Sequence, residues 1–156
     1  MSTRRWILCS ILAVAAAVSG CVPAPSREPA APPTQPGDDI KLGVENRQVL
    51  ALWRDAEVAR QTRDYRRASV RLEQAIGLEP GNPALWSRLA EIRLLQEEPA
   101  QAENLAAKSN AIAPGNASLR YRNWLIIRHA REWRGDQEGA DLAQRELDRL
   151  QAPAGE

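Results

Sequence analysis

The sequence predicts an all-α fold, built as a stack of about three antiparallel helical hairpins. A Pro-Gly-Asn tripeptide at Pro80 to Asn82 recurs at Pro114 to Asn116, 34 residues later. A fixed period of this length indicates repeated units, none of which can bury its apolar face alone. Between the turns, apolar residues recur at spacings of three and four, which is typical of amphipathic helices. No stretch alternates with a period of two, so we expect no sheet.

The composition narrows the classes of function. The chain has 156 residues, enough for one small domain with extensions, and 21 basic against 20 acidic residues. Arg4 and Arg5 lie in an N-terminal signal segment, so the remainder is close to neutral. A general nucleic-acid binder needs a surplus of positive charge, so the near-neutral balance argues against that class. Cys9 and Cys21 both lie outside the repeats, which excludes a disulfide framework or a thiolate metal site in the folded domain.

The N-terminus has the anatomy of a secretory signal peptide, which we place at residues 1–20. Arg4 and Arg5 precede an apolar run from Trp6 to Val18. This run is shorter than the roughly 20 residues that a permanent membrane span needs. We therefore expect the segment to be cleaved.

The four residues from Val18 to Cys21, Val-Ser-Gly-Cys, resemble the lipobox of bacterial lipoproteins. The resemblance implies that Cys21 becomes the first mature residue and carries a covalent diacylglycerol and an N-acyl lipid such as palmitate. An ordinary signal with an incidental cysteine is the alternative. Because Val22 rather than aspartate follows, the resemblance favours the periplasmic face of the outer membrane over the inner membrane.

Residues 21–44 comprise the lipidated cysteine and a tether that we expect to be disordered. Six of the eighteen residues from Val22 to Asp39 are proline. Proline keeps such a segment semi-extended at about 3.1 Å per residue, a reach of up to about 55 Å from the lipid surface. A passive spacer is the main interpretation, and a proline-rich ligand for a partner domain is the alternative. We also expect a disordered tail over residues 151–156.

The helical domain is predicted over residues 45–150, with its first helix from Glu45 to Gln61. The apolar stripe of this helix is formed by Val49, Leu52, Ala56 and Ala59. Asp64 is placed to cap the second helix, which stops near Pro80. The stripe of the second helix is formed by Ala68, Leu72, Ala75 and Ile76.

The later helices carry their own start signals. Asn82 is placed to cap a third helix with Pro83 in its first position, where a missing N–H costs nothing. Pro99 opens the fourth helix and Asn116 caps the fifth. The turn before the sixth helix is marked by Gly135 and Asp136, about one helical turn later than the period predicts. The sixth stripe is formed by Ala140, Ala143, Leu147 and Leu150.

The second unit carries Trp86, Leu89 and Ala90, then Ala102 and Pro114, a pattern that resembles the tetratricopeptide repeat. That family's usual length is 34 residues. The resemblance covers units at residues 49–82 and 83–116 and a degenerate unit at 117–150. It implies a helical scaffold that holds other proteins.

Three residues depart from this pattern. Glu97 replaces the usual turn glycine and Pro99 the usual aromatic, which we interpret as a tolerated turn variant because the helix registers on both sides survive. Trp124 stands where a small residue is usual. Terminal repeats are often atypical because they cap the stack.

The sequence contains no catalytic constellation. It lacks a Ser/His/Asp set with a nucleophile turn, a glycine-rich phosphate loop and paired histidine ligands. The single histidine, His129, has no partners for a metal and is expected at a partly exposed helix position. We predict that the protein is not an enzyme and uses no cofactor or metal beyond the lipid on Cys21.

The candidate site is the concave groove that the first helices line in arrays of this kind. The period predicts three inward rows, namely Trp53, Ser87 and Tyr121; Glu57, Glu91 and Leu125; and Arg60, Leu94 and Arg128. Beside them runs a ladder of Arg54, Arg88 and Arg122. The predicted partner-binding residues are Trp53, Arg54, Glu57, Arg88, Glu91, Tyr121, Arg122 and Arg128.

Within the groove, Arg54 and Arg88 each lie three residues before a glutamate, and such exposed intrahelical pairs contribute only about 0.2–0.5 kcal/mol. Leu125 replaces the third glutamate, so Arg122 is expected to lack such a partner. With Arg128 it would read an acidic or carboxylate group, while Trp53 and Tyr121 act as anchors. The alternative is that the arginines are solvated and Trp53 packs against the tether or the next helix.

A second basic run straddles the first turn and comprises Arg60, Arg63, Arg66, Arg67 and Arg71. Anionic lipid head groups are one ligand for such a run. Acidic residues interleave with it, so a solvated surface is the main interpretation.

These features together predict a lipid-anchored periplasmic protein that scaffolds or helps assemble a cell-envelope complex. Its partners would be envelope proteins and, through the lipid, the membrane, which raises its effective concentration for membrane partners. The alternatives are a self-associating structural lipoprotein, which would be a homo-oligomer, and an activator of a cell-wall enzyme.

Overall fold

The computed structural model describes residues 46–152, and these form six helices and no strand. The helices are α1 Arg47–Gln61, α2 Tyr65–Leu78, α3 Pro83–Leu95, α4 Pro99–Ile112, α5 Ala117–Trp133 and α6 Gln137–Gln151. The predicted all-α class is confirmed. The predicted signal peptide, Cys21, tether and last four residues lie outside the described residues.

Five of the six helices begin at an asparagine or aspartate whose side chain accepts a hydrogen bond from a free backbone N–H of the first turn. The predicted caps Asp64, Asn82 and Asn116 all act in this way. Glu98, before α4, makes no such bond, and Pro99 starts that helix. Proline has no N–H, so the first turn of α4 has one fewer free donor to satisfy.

The turn inside each hairpin has the same backbone form. Arg63, Glu97 and Gly135 each have a positive φ, of 60°, 64° and 75°. The residue after each of them donates its N–H to the carbonyl five residues earlier, as Glu98 does to Arg93 at 2.9 Å. This bonding satisfies free carbonyls at the end of the first helix of each hairpin. Glycine is the residue that most often adopts the positive φ it requires. Glu97 therefore occupies the glycine position without losing the turn, as predicted.

The third hairpin differs from the others in length. α5 has 17 residues and α3 has 13, a difference of about one helical turn. This difference explains why Gly135 arrives later than the repeat period predicts.

The core consists of two apolar layers on either side of α3. The first layer, between the first and second hairpins, includes Val49, Leu72, Leu85 and Ile92. The second layer, between the second and third hairpins, includes Ala90, Leu94, Ile126 and Ile127. Nine residues of α3 are buried, since this helix contributes to both layers. Each hairpin thus buries its apolar face against a neighbour.

A buried polar link joins the second and third hairpins. Ser109 Oγ donates to the Pro83 carbonyl at 2.8 Å and accepts from Asn123 Nδ2 at 2.8 Å. Asn123 Nδ2 also lies 2.8 Å from Asn110 Oδ1. Ser109 and Asn123 are fully buried, so these bonds fix how the start of α3, the end of α4 and α5 meet.

Ser109→Ala should lower the free energy of unfolding by about 1–3 kcal/mol, because the Pro83 carbonyl and Asn123 Nδ2 each lose a hydrogen bond in the interior. The serine at this position replaces the alanine of the first unit, so the smaller residue fits and only the hydrogen bonds are lost. Urea denaturation followed by circular dichroism measures the change. Ser118→Ala, at an exposed position of α5, is the matched control and should change little. Equal effects of the two substitutions would contradict the role of the buried link.

Candidate functional site

The face formed by α1, α3 and α5 is most buried at its middle helix. In each of the three predicted rows the α3 member is buried, whereas the α1 and α5 members are only partly buried. The buried members are Ser87, Glu91 and Leu94. In arrays of this kind the first helices line the concave face, so we refer to the α1/α3/α5 face as the concave surface, with α3 as its floor and α1 and α5 as its walls.

The floor of this surface carries a charged cluster, which we define as Glu57, Arg60, Arg88, Glu91 and Arg122. Arg88 lies at its centre: its Nε is 2.8 Å from Glu57 Oε1, and its Nη1 is 2.6 Å from Glu91 Oε2. The fork of the guanidinium thus joins a carboxylate of α1 to a carboxylate of its own helix. A lysine, with one compact ammonium group, lacks this planar fork.

The outer members of the charged cluster connect the remaining helices. Arg60 on α1 lies 3.2 Å from Glu57 Oε2 and 3.8 Å from Glu91 Oε1. Arg122 on α5 contacts the other carboxylate oxygen of Glu91. Glu91 therefore receives arginines from all three first helices, and the charged cluster spans all three hairpins.

Arg88 is 2% exposed. Its removal from water lowers the pKa of its guanidinium, and the nearby charges of Arg122 and Arg60 act in the same direction. The carboxylates of Glu91 and Glu57 oppose this shift. Its guanidinium also lies 5.4 Å from the ring centroid of Trp53, within cation–π range.

The expected arginine ladder needs correction at its first two steps. Arg88 and Glu91 do pair, but both are buried rather than exposed, because side chains of α1 and α5 cover α3. Glu57 pairs with Arg60 and Arg88 instead of Arg54, which is exposed. Arg122 has no glutamate three residues on, because Leu125 stands there, and it reaches across to Glu91 on α3 instead.

The walls of the concave surface carry the remaining predicted residues. Trp53 is half-buried and packs against the first core layer as well as beneath Arg88. Tyr121 is half-buried, and its hydroxyl accepts a hydrogen bond from Gln151 Nε2 at 2.7 Å. Arg128 is half-buried, donates to Gln144 Oε1 at 2.6 Å and has its Nε 3.5 Å from Glu132 Oε1. Of the predicted residues, Arg54 is exposed, and Trp53, Glu57, Tyr121, Arg122 and Arg128 remain in part accessible.

Sequence reasoning named Arg60 in an inward row but did not select it as a site residue. Its place in the charged cluster follows from the same period that places Glu57 and Glu91. His129, also on α5, is half-buried, with its Nδ1 3.2 Å from Glu132 Oε2.

Residues 46–152 offer neither a metal-ligand cluster nor a membrane-spanning helix. This part of the chain contains no group of three or more His, Cys, Asp or Glu side chains arranged to hold a metal ion. None of its helices is both long and apolar enough to cross a membrane.

Comparison with known proteins identifies the class. The Tetratricopeptide repeat family profile matches residues 59–122. The six-helix stack of repeated hairpins has the same character, and the chain belongs to the tetratricopeptide-repeat family.

Among solved structures, this chain is similar to the globular C-terminal domain of P. aeruginosa LpoP. It is 35% identical in sequence and superposes with a TM-score of 0.63. The match covers 66% of this chain and 97% of that chain. No curated protein matches the sequence.

Glu91→Gln should destabilise the fold by about 3 kcal/mol, because removing one partner of a buried ion pair leaves uncompensated charge in the interior. Urea denaturation measures this loss. The matched control is Glu73→Gln, which removes a carboxylate that is 48% exposed and pairs with Arg93 on the neighbouring hairpin. An exposed pair contributes less than about 1 kcal/mol. A loss no larger for Glu91→Gln than for the control would show that the charged cluster carries no buried-charge penalty.

Proposed function

We propose that this protein is an adaptor that binds a protein of the cell envelope through the concave α1/α3/α5 surface. In this proposal the chain is anchored by lipid on Cys21, faces the periplasm at the outer membrane and performs no catalysis itself. Members of its family hold other proteins on helical scaffolds, which supports binding as the activity.

The observation that carries the proposal is that the α3 member of each row is buried, whereas the α1 and α5 members stay partly accessible on either side of it. A concave surface of this form can accept a segment of a partner between its walls. Aromatic and arginine side chains dominate the energy of many interfaces, and the walls present Trp53, Tyr121 and Arg128. The charged cluster holds the floor rigid, which reduces the ordering cost of binding.

The accessible charge on this surface indicates the chemistry of the segment. Glu57 and Glu91 are both engaged by arginines, so their negative charge is compensated within the cluster. Arg54 is exposed next to Trp53, and Arg128 lies on the opposite wall. A segment with an acidic side chain or terminal carboxylate would suit the walls, with Arg128 as the residue that pairs with it.

The match to the LpoP domain supports a division of the chain into the six-helix domain and the residues that precede it. That match covers nearly all of the relative and about two thirds of this chain. This share is about the length of the six-helix domain, so the adaptor activity is assigned to residues 46–152. The preceding residues are assigned to export, lipidation and tethering, which concentrates the adaptor at the membrane.

The full chain with a C-terminal tag, cross-linked in cells and purified from the solubilised envelope, tests the proposal. We expect one discrete partner to co-purify with the wild-type protein. Tyr121→Ser/Arg128→Glu removes an aromatic and reverses a charge on one wall without touching the charged cluster, and should abolish recovery of that partner. The matched control, Trp133→Ser/Arg145→Glu, makes the same chemical changes at exposed positions outside the three rows and should retain it.

Two results would overturn the adaptor proposal. Full recovery of the partner by the wall variant would place the interface elsewhere on the protein. Recovery of only the protein itself, together with concentration-dependent sedimentation, would favour a self-associating structural role. Circular dichroism of both variants establishes that they are folded.

A further inference from the structure

The first hairpin carries a basic patch, which we define as Arg63, Arg66, Arg67 and Arg71. These residues lie on the α1–α2 turn and the first half of α2. Arg60 belongs to the same run in the sequence but pairs with Glu57 in the charged cluster, so the structure divides the run between two surfaces. The basic patch therefore stands apart from the concave surface.

Asp55 of α1 orients two arginines of the basic patch. Arg67 Nη2 lies 2.6 Å from Asp55 Oδ1, and Arg71 Nε lies 2.7 Å from Asp55 Oδ2. The side chains of Arg67 and Arg71 nevertheless remain 51% and 36% exposed. One carboxylate thus fixes two guanidiniums while both stay accessible to a ligand.

The other nearby carboxylates are already engaged. Asp64 Oδ1 caps α2 by accepting from the Arg67 backbone N–H at 3.0 Å. Glu73 pairs with Arg93 of α3. The four arginines therefore outnumber Asp55 and Asp64, the two carboxylates that lie among them, and the basic patch is positive although the chain is nearly neutral.

A shallow depression of about 320 Å³ lies within the basic patch. It is lined by Asp64, Arg66, Arg67, Val70 and Arg71. Val70 is 45% exposed, so the depression presents an apolar side chain among guanidiniums. Guanidinium groups bind phosphate oxygens in a bidentate way and are weakly hydrated.

We propose that the basic patch contacts the anionic phospholipid headgroups of a membrane and so lays the α1–α2 end of the domain on the bilayer surface. The exposed valine favours a bilayer over a soluble anion, because it can enter the boundary between headgroups and acyl chains. Each arginine near an anionic surface strengthens association by about fivefold. The inference does not require lipid on Cys21 and is tested without it.

The test measures which end of the domain faces the lipid. The full chain carrying Cys9→Ser/Cys21→Ser receives a single nitroxide label, through either Gln61→Cys or Ala111→Cys. Both positions are exposed, and they lie near opposite ends of the hairpins. Relaxation by nickel chelated to lipid headgroups reports the proximity of each label to the bilayer, however the chain first attaches to the vesicle.

On phosphatidylglycerol vesicles we expect the label at Gln61 to be relaxed more strongly than the label at Ala111. The difference should vanish on phosphatidylcholine vesicles and at about 0.5 M sodium chloride, where charges are screened. Arg66→Glu/Arg67→Glu should abolish the difference. The matched control, Arg145→Glu/Arg149→Glu on α6, changes the charge equally and should leave it intact.

Equal relaxation of the two labels on phosphatidylglycerol vesicles would overturn the inference. So would a difference that survives Arg66→Glu/Arg67→Glu. A third outcome is that the difference in relaxation between the two labels is lost in inorganic phosphate but kept in sodium chloride of equal ionic strength. That result would identify a site for free phosphate instead of a membrane contact.

Asp55→Asn provides an independent test should the charge-reversed variant fail to fold. It keeps all four arginines and removes negative charge from the basic patch. Lipid phosphates then replace the carboxylate as partners, and orientation-dependent association with phosphatidylglycerol should strengthen about fivefold. Unchanged or weaker association would overturn the inference.

Discussion

The arrangement of the three hairpins depends on one buried cation, the guanidinium of Arg88. Burying a charge is unfavourable unless opposite charges and hydrogen bonds surround it. Arg88 meets this condition only where α1 brings Glu57 and α3 brings Glu91 to its two sides. Arg60 and Arg122 then complete the coordination of Glu91 from the neighbouring hairpins. The apolar layers hold the helices together, but these directional contacts restrict the angle at which the hairpins meet.

Local signals were sufficient to predict the helices. Capping residues, prolines at first helical positions and apolar spacing all act within one or two turns, so Asn82, Pro83 and Asn116 have their predicted roles. The late turn at Gly135 was also readable, because a glycine and a capping aspartate mark it. The preference for glycine at the turn did not decide the conformation at Glu97, because the surrounding helices impose a left-handed backbone there.

The candidate site was predictable in its positions but not in its contacts. The period placed Glu57, Arg88, Glu91 and Arg122 on one face, and they do meet. Whether they face solvent depends on how closely α1 and α5 approach α3, and no local pattern encodes that distance. Arg122 illustrates the point, because its partner lies 31 residues away on another hairpin. The polar link through Asn123 escaped prediction for the same reason.

The shared carboxylate of Glu91 also restricts where a further repeat unit could be inserted. Repeat arrays usually gain or lose units freely, since each unit interacts only with its neighbours and stability adds along the array. Here arginines from the first and third hairpins converge on one side chain of the second. A unit inserted on either side would separate one of these arginines from Glu91 and leave buried charge uncompensated. The three hairpins of residues 46–152 therefore form one unit that cannot be divided internally without stranding buried charge.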